Sequence, residues 1–274
     1  MSLFGHDTFY HQLMKKYIGY FGTIFNQMEI KRPTSSGEQI VRIPIVYGPR
    51  DKMQARYDAD PNIQRLQALA TPRLAYEMKG MTYDGERKLP VLGMRVAKNP
   101  NNLDTAYRNY TPVPYDLEFE LNIMTKNVED SMRIVEQILP NFTPEFTSRI
   151  ILIPEAGIME DVPIELLSTT WQDNYEGDMT ERRSVVWTLQ FNMRAYFYGP
   201  TTTPKLIKYA NTNFLVGNTT TANTPVESMQ VKPGLDANGA ATTNNAITID
   251  AANIAIDDPY GYIVTTSYTA NGSN

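Results

Sequence analysis

Residues 112–147 constrain the fold more than any other stretch of this chain. Hydrophobic and polar residues alternate over residues 115–123, in the sequence YDLEFELNI. Alternation with a period of two is typical of a β-strand that has one buried face and one solvated face. The pattern therefore predicts a strand whose solvated face carries Asp116, Glu118 and Glu120.

The hydrophobic period then changes to that of an α-helix, which we expect over residues 127–139. Asn127 is placed to cap this helix, and Asp130 lies in its first turn, where negative charge suits the helix dipole. Pro140 and Pro144 end it. The predicted apolar face consists of Val128, Met132, Val135 and Leu139. A strand and a helix without reactive side chains favour a protein that works by holding other molecules in place.

Other segments carry weaker patterns of the same two kinds. We expect a helix over residues 8–25, a hairpin from the runs 27–31 and 39–47, and strands over 74–83 and 184–198. The continuous apolar run 148–153 predicts a buried strand, and residues 86–111 predict a long loop or a hairpin arm. Strands 115–123 and 184–198 should share a mainly antiparallel sheet, with the helix packed across it. This arrangement is an α+β fold with a few packed helices.

The composition changes near residue 200. The preceding part, residues 1–200, is expected to form the α+β core domain. Residues 201–274 are rich in Thr, Asn and Ala and form a polar C-terminal extension. Because such a segment has few large apolar residues, we expect it to order as an interaction arm by pairing with its own domain or with a neighbour.

Composition argues against several functions. The net charge is −5, whereas general binding to a phosphate backbone needs clustered Lys and Arg. Cysteine is absent, which excludes disulfides and thiolate chemistry and fits assembly in a reducing cytoplasm. No run of about 18 apolar residues predicts a membrane helix. Sequence motifs for nucleotide binding are lacking as well.

Candidate catalytic and metal residues have simpler interpretations. His6 and His11 are five residues apart, a spacing that does not place two ligands on one helix face. An acidic cluster around Asp178 could hold calcium, although a solvated turn is the simpler interpretation. We therefore predict no enzyme activity, no metal site and no cofactor. The aromatic content leaves a carbohydrate-binding module open as an alternative from another class.

Four further blocks accompany the stretch 115–146 in a recognisable order. They are IFNQMEIKR at 24–32, IVRIPIVYGPRDKM at 40–53, LAYEMKGMTYDGERK at 74–88 and GDMTERRSVVWTLQFNMRAYFYGP at 177–200. In sequence and spacing the chain resembles the tail sheath stabiliser (tail completion) family of T4-like contractile-tailed bacteriophages. The resemblance spans roughly residues 8–200, and we expect it to end near Pro200.

The resemblance implies a structural virion protein at the neck-proximal end of a contractile tail, assembled in the host cytoplasm. It implies a homo-oligomeric ring, with a hexamer expected, that binds the tail sheath protein, the tube terminator and neck proteins. Viral DNA would pass through the ring without specific binding, and no membrane is involved. A tail tube terminator or another neck or connector protein is the alternative within this class.

The resemblance also guides the choice of interface residues. Arg182 and Arg183 follow the acidic residue Asp178 just before a long strand, where they could contact acidic neighbours. Tyr196 and Tyr198 lie on the opposite side of that strand from Phe197, so rings must point both ways. Tyrosine-rich surfaces suit protein–protein contact. These five residues, the segment 86–111 and the C-terminal arm are the predicted interface elements.

Overall fold

The computed structural model describes residues 8–34, 37–52, 72–174, 184–214 and 227–268. Within these ranges the chain forms thirteen strands, two α-helices with described bounds and two short 3-10 helices, and residues 50–52 are also helical. Contacts between residues divide the chain into two compact units. Unit 1 comprises residues 1–90, 112–154 and 158–198, and unit 2 comprises residues 91–111, 155–157 and 199–274.

The helices and strands have the following bounds. The helices are α1 (Leu13–Ile24) and α2 (Val128–Ile138), and the 3-10 helices cover Leu139–Asn141 and Ala251–Asn253. The strands of unit 1 are β1 (Glu29–Thr34), β2 (Gly37–Arg42), β3 (Ile45–Tyr47), β4 (Arg73–Tyr83), β7 (Val113–Thr125), β8 (Glu145–Ile153), β9 (Ile158–Asn174) and β10 (Ser184–Phe197). The strands of unit 2 are β5 (Met94–Lys98), β6 (Ala106–Tyr110), β11 (Ala210–Phe214), β12 (Glu227–Gly234) and β13 (Gly261–Tyr268).

A six-stranded sheet forms the body of unit 1, in the order β3-β4-β7-β10-β9-β8. All neighbours are antiparallel except β3 and β4, which are parallel. The predicted pairing of β7 with β10 is confirmed, and it extends from Val113 opposite Phe197 to Thr125 opposite Val185. These two strands occupy the centre of the sheet, and their apolar residues are buried along almost their whole length.

The predicted α+β class is wrong, because the described chain is predominantly β. Two segments account for the difference. Residues 145–174 form one long hairpin, β8 and β9, and the Thr- and Asn-rich tail forms a three-stranded sheet. Threonine favours strands, and paired backbone groups can order a polar segment that has few large apolar side chains. The run 148–153 is also not buried throughout, because β8 is an edge strand and Ile151 is exposed.

An aromatic cluster packs α1 onto one face of the six-stranded sheet. The ring of Phe21 stacks on Phe119 with centroids 4.5 Å apart, and it meets Phe191 edge-on at 5.4 Å. Gly22 lets the helix approach closely, since a Cβ there would lie 2.4 Å from the hydroxyl of Tyr76. The helix continues through Gly22 to Ile24, but it begins at Leu13 rather than near residue 8.

Helix α2 packs on the sheet as expected, but with a different face. Asn127 occupies the N-cap position, although its side chain makes no capping hydrogen bond. Met132 and Leu139 of the predicted apolar face are exposed. The buried residues are Asp130, Ser131, Ile134, Val135 and Ile138.

The described residues of unit 2 form two separate sheets. One is the hairpin β5-β6, so the segment 86–111 takes the hairpin form of its two predicted conformations. The other is the sheet β11-β12-β13, which is antiparallel throughout. Gly234 and Gly261 face each other at one end of it, where the carbonyl oxygen of Thr242 would lie 2.2 Å and 2.8 Å from added Cβ atoms. Glycine is required there because a backbone segment crosses directly over the pair.

Candidate interaction surfaces

The two predicted tyrosines at the end of β10 are fixed in place by neighbouring residues. Tyr198 is 5 % exposed, and its hydroxyl donates a hydrogen bond to Glu160. Tyr196 is half-buried, and the guanidinium of Arg87 lies 5.3 Å from the centre of its ring. Of these two tyrosines, only Tyr196 presents part of its ring at the surface of unit 1. The other three predicted interface residues, Asp178, Arg182 and Arg183, lie outside the described residues.

Arg87 organises the surface around Tyr196. Its Nε bonds to Asp84 at 2.5 Å, and its Nη2 bonds to Asp116 at 2.5 Å. These carboxylates and the Tyr196 ring hold the guanidinium in place. The hydrogen bond from Arg87 lowers the pKa of the Asp84 carboxyl. Sequence reasoning missed this cluster because its members come from three separate elements.

The solvated face of the central sheet is acidic, as predicted, but part of its charge is neutralised. Glu118 is exposed, whereas Glu120 lies 3.4 Å from the ammonium of Lys79. A hydrogen bond to Glu77 raises the pKa of Lys79. Asn122 donates to Glu120 at 2.7 Å, so the middle of this face is a connected polar network. Glu118 is the carboxylate on β7 that remains exposed to solvent.

The hairpin β1-β2 is fastened to α2 by side chains of the helix. Arg133 donates to the carbonyl of Lys31 at 2.5 Å, and Gln137 donates to the carbonyl of Glu29 at 3.1 Å. These two carbonyls are on the edge of β1 that faces away from β2. The helix thus satisfies one edge of the hairpin, while β2 remains exposed along most of its length.

The sheet β11-β12-β13 has one polar face and one apolar face. Val264 pairs with Val231, and Thr265 pairs with Gln230, so neighbouring residues of β13 point to opposite faces. On one side Ile263 is 1 % exposed, whereas on the other side Val264 is 57 % exposed. We call this second side the apolar sheet face. Its large apolar residues are Phe214, Met229, Val231, Tyr262, Val264 and Tyr268.

A cavity of about 240 Å³ adjoins the apolar sheet face. Its lining includes Leu206, Val231, Ile254 and Tyr262. Small-molecule sites commonly measure ~300–1,000 Å³, so this cavity is better matched to one or two side chains than to a ligand.

A second apolar surface of unit 2 lies on and before the hairpin β5-β6. Leu92 is 87 % exposed, and Met94 pairs directly with Tyr110. We call this surface the apolar hairpin patch, and it consists of Val91, Leu92, Met94, Val96 and Tyr110. Two of the predicted interface elements, the segment 86–111 and the C-terminal arm, therefore contribute exposed apolar residues to the same compact unit.

The described residues contain no group of three His, Asp or Glu side chains that could hold a metal ion. In the same ranges, no helix is long and apolar enough to span a membrane. Large exposed apolar surfaces are characteristic of proteins that assemble with other proteins.

Comparison with known proteins identifies the family of this chain. The family model of the T4-like virus Myoviridae tail sheath stabiliser matches residues 8–263, and the chain belongs to that family. The chain is 27 % identical over 207 residues to the tail completion protein gp15 of Enterobacteria phage T4. This similarity covers 72 % of the chain and 74 % of the T4 protein.

The chain is therefore a structural protein of a bacteriophage tail, as the resemblance implied. Its family suggests a non-enzymatic role and association with tail components. The expectation that the resemblance ends near Pro200 is wrong, because the family match continues into β13. The sheet β11-β12-β13, as far as Ile263, thus lies within the family match.

Proposed function

We propose that the chain forms a hexameric ring at the head-proximal end of a contractile tail. The ring binds the last disc of the extended sheath, contacts the tube terminator and presents a docking surface to the neck. The observation that carries this proposal is the family match over residues 8–263, since the family is described as a tail sheath stabiliser.

The stabilisation follows from binding alone. A protein that binds the extended sheath and not the contracted sheath shifts the equilibrium toward the extended form by mass action. No covalent chemistry is required. A closed ring needs two different patches on each subunit, because each copy contacts its two neighbours through different surfaces. The segment 86–111, the segment from Asp173 to Arg183 and the C-terminal arm are the elements we propose for these contacts.

Assembly takes place in the host cytoplasm, and viral DNA passes through the ring. We propose that the acidic face around Glu118 lines this passage, where negative charge keeps DNA from adhering. The boundary near residue 200 separates the sheet that forms the ring body from the arm that makes contacts. In the described chain, the hairpin β5-β6 belongs with that arm.

The test is reconstitution on tails that lack this protein. Purified extended tails are incubated with the recombinant chain, and sheath contraction is followed by electron microscopy during a urea titration. We expect ring density at the head-proximal end and contraction at a higher urea concentration than with an unrelated acidic protein. Binding along the length of the sheath or at the baseplate end, or unchanged contraction, would overturn the proposal. Glycan binding by a monomer that ignores tails would favour the carbohydrate-binding alternative.

A further inference from the structure

The apolar sheet face and the apolar hairpin patch are each as large as the largest apolar patch of a typical monomer. With ~200 Å² for a large apolar side chain, each leaves on the order of 500 Å² exposed. The largest apolar patch on a typical monomer is ~300–600 Å² and is often functional, and unit 2 carries two such patches. Each approaches the ~800 Å² per partner that a stable interface buries.

Among the described residues, the outer strands of the sheet β11-β12-β13 have no protection of their own against pairing with other chains. Natural proteins place charged residues or proline on exposed edge strands to prevent association. Neither β11, with the sequence ANTNF, nor β13, with the sequence GYIVTTSY, contains a charged residue or a proline. An unprotected strand of this kind is expected where association is part of the function.

Charge distribution favours another copy of the chain as the occupant. The chain has a net charge of −5, so two copies repel each other over most of their surface. Strands β5 and β6 are an exception, because Arg108 pairs with Val96 on the face of the apolar hairpin patch and neither strand contains an acidic residue. The charged residue on the apolar sheet face is Glu227, which pairs with Tyr268 and Phe214. Arg108 on the hairpin patch and Glu227 on the sheet face carry opposite charges, so the two surfaces are complementary at these positions.

We propose that the apolar hairpin patch of one copy docks on the apolar sheet face of the next copy. Leu92, the most exposed member of the hairpin patch, occupies the cavity beside Val231 and Tyr262. The contact is between two different patches, so it is propagated from copy to copy and can close into a ring. This inference rests on the proposed ring and names the surfaces that form it.

Cysteine cross-linking tests this contact without background, because the chain contains no cysteine. Single variants Leu92→Cys and Val264→Cys are mixed and oxidised, with and without purified tails. We expect a mixed disulfide dimer on a non-reducing gel. The matched control is Thr265→Cys, because Thr265 adjoins Val264 but lies on the opposite face of β13.

The outcomes separate the possibilities. A Leu92→Cys disulfide with Val264→Cys, and none with Thr265→Cys, supports the contact. Equal cross-linking with Thr265→Cys, homodimers of Val264→Cys alone, or no disulfide would each overturn it. Tail binding with a ring but no disulfide overturns this inference and leaves the proposed function intact. A disulfide without tail binding overturns the proposed function and leaves this inference intact.

A second pair of variants avoids oxidation chemistry. Val264→Lys places a charge in the contact, and Thr265→Lys places the same charge on the polar face. We expect Val264→Lys to weaken self-association at least tenfold in analytical ultracentrifugation, while Thr265→Lys associates as the unsubstituted chain does. Circular dichroism melts of both variants check folding. If the two folded variants associate equally well, the proposal fails.

Discussion

Arg32 of β1 and Asp130 of α2 form an ion pair that joins the hairpin β1-β2 to the helix. Nη2 of Arg32 lies 2.6 Å from Oδ2 of Asp130, and Nε of Arg32 lies 3.1 Å from the same oxygen. Asp130 is 4 % exposed, whereas Arg32 reaches solvent along part of its side chain. Arg32 therefore neutralises the buried carboxylate of Asp130. From the sequence, we expected only a favourable interaction of this carboxylate with the helix dipole.

Removing the buried partner should destabilise unit 1. We expect Asp130→Ala to lower the free energy of unfolding by about 1–3 kcal/mol, because Arg32 loses its charged hydrogen-bond partner. Trp187 is a natural reporter, since its Nε1 donates to Ser131 of the same helix at 3.1 Å. Urea unfolding followed by tryptophan fluorescence measures the change. The control is Glu129→Ala, which removes an exposed partner of Arg133 and should cost less than about 1 kcal/mol. Equal costs would contradict this account.

Two glycines of α1 should respond oppositely to alanine. Gly19 has open space around it, so Gly19→Ala should stabilise the chain by about 0.5–1 kcal/mol through helix propensity. Gly22→Ala should destabilise it by about 1–3 kcal/mol, because the new methyl group overlaps Tyr76. Thermal or urea unfolding of both variants provides the measurement. A stabilising Gly22→Ala would show that α1 does not approach Tyr76 this closely.

Stability should decrease in acid partly through Asp84. Its pKa is lowered in the folded chain by the hydrogen bond from Arg87. Its contribution is therefore fully present above the ordinary carboxyl pKa of about 4, and it is lost as the pH falls through the lowered folded value. We expect Asp84→Asn to reduce the dependence of the urea midpoint on pH below about pH 4.

Asp161 provides the comparison for this acid effect. Its pKa is lowered in the same way by Arg149, on the separate hairpin β8-β9. Asp161→Asn should therefore remove a similar part of the dependence on pH, and the two effects should add because the pairs share no residue. If the midpoint of Asp84→Asn depends on pH as that of the unsubstituted chain does, the Arg87 cluster does not act as described.

Reversing the charge of Glu118 tests the acidic passage. If this face lines the channel, Glu118→Lys should slow DNA ejection from reconstituted phage and make it more dependent on salt, because the lysine attracts phosphate. Glu136→Lys changes the net charge equally at an exposed position of α2, outside the proposed contact segments, and it should leave ejection unchanged. Ejection rates are measured by fluorescence of a dye that binds released DNA. Identical rates for the two variants would place Glu118 away from the DNA path.

The central elements were predictable because their patterns are strong. Alternation over residues 115–123 fixed β7, and the apolar run that begins at Val185 fixed β10. Their antiparallel pairing followed because both have one continuous apolar side. The buried face of α2 was harder, because Asp130 and Ser131 are polar residues that become buried through partners distant in sequence.

The C-terminal segment, residues 201–274, was also difficult to predict, because its pattern is weak. A composition of Thr, Asn and Ala predicts little about strands, since each residue contributes only a weak preference. The sheet β11-β12-β13 forms because backbone pairing, the glycine pair Gly234 and Gly261, and the burial of Ile263 act together. Its apolar face was not predicted, because alternation in β13 becomes meaningful only when its partner strand and register are known.

The sequence by itself determined the family, the central strands, the helices near residues 13 and 128 and the absence of cysteine chemistry. These depend on local periodicity and on the order of blocks along the chain, which are readable without coordinates. Only the tertiary structure decided that the fold is predominantly β, that Tyr198 is buried while Val264 is exposed, and that Arg32 neutralises Asp130. Those properties depend on which residues meet across long sequence separations, and a hydrophobic pattern does not encode the identity of its partner.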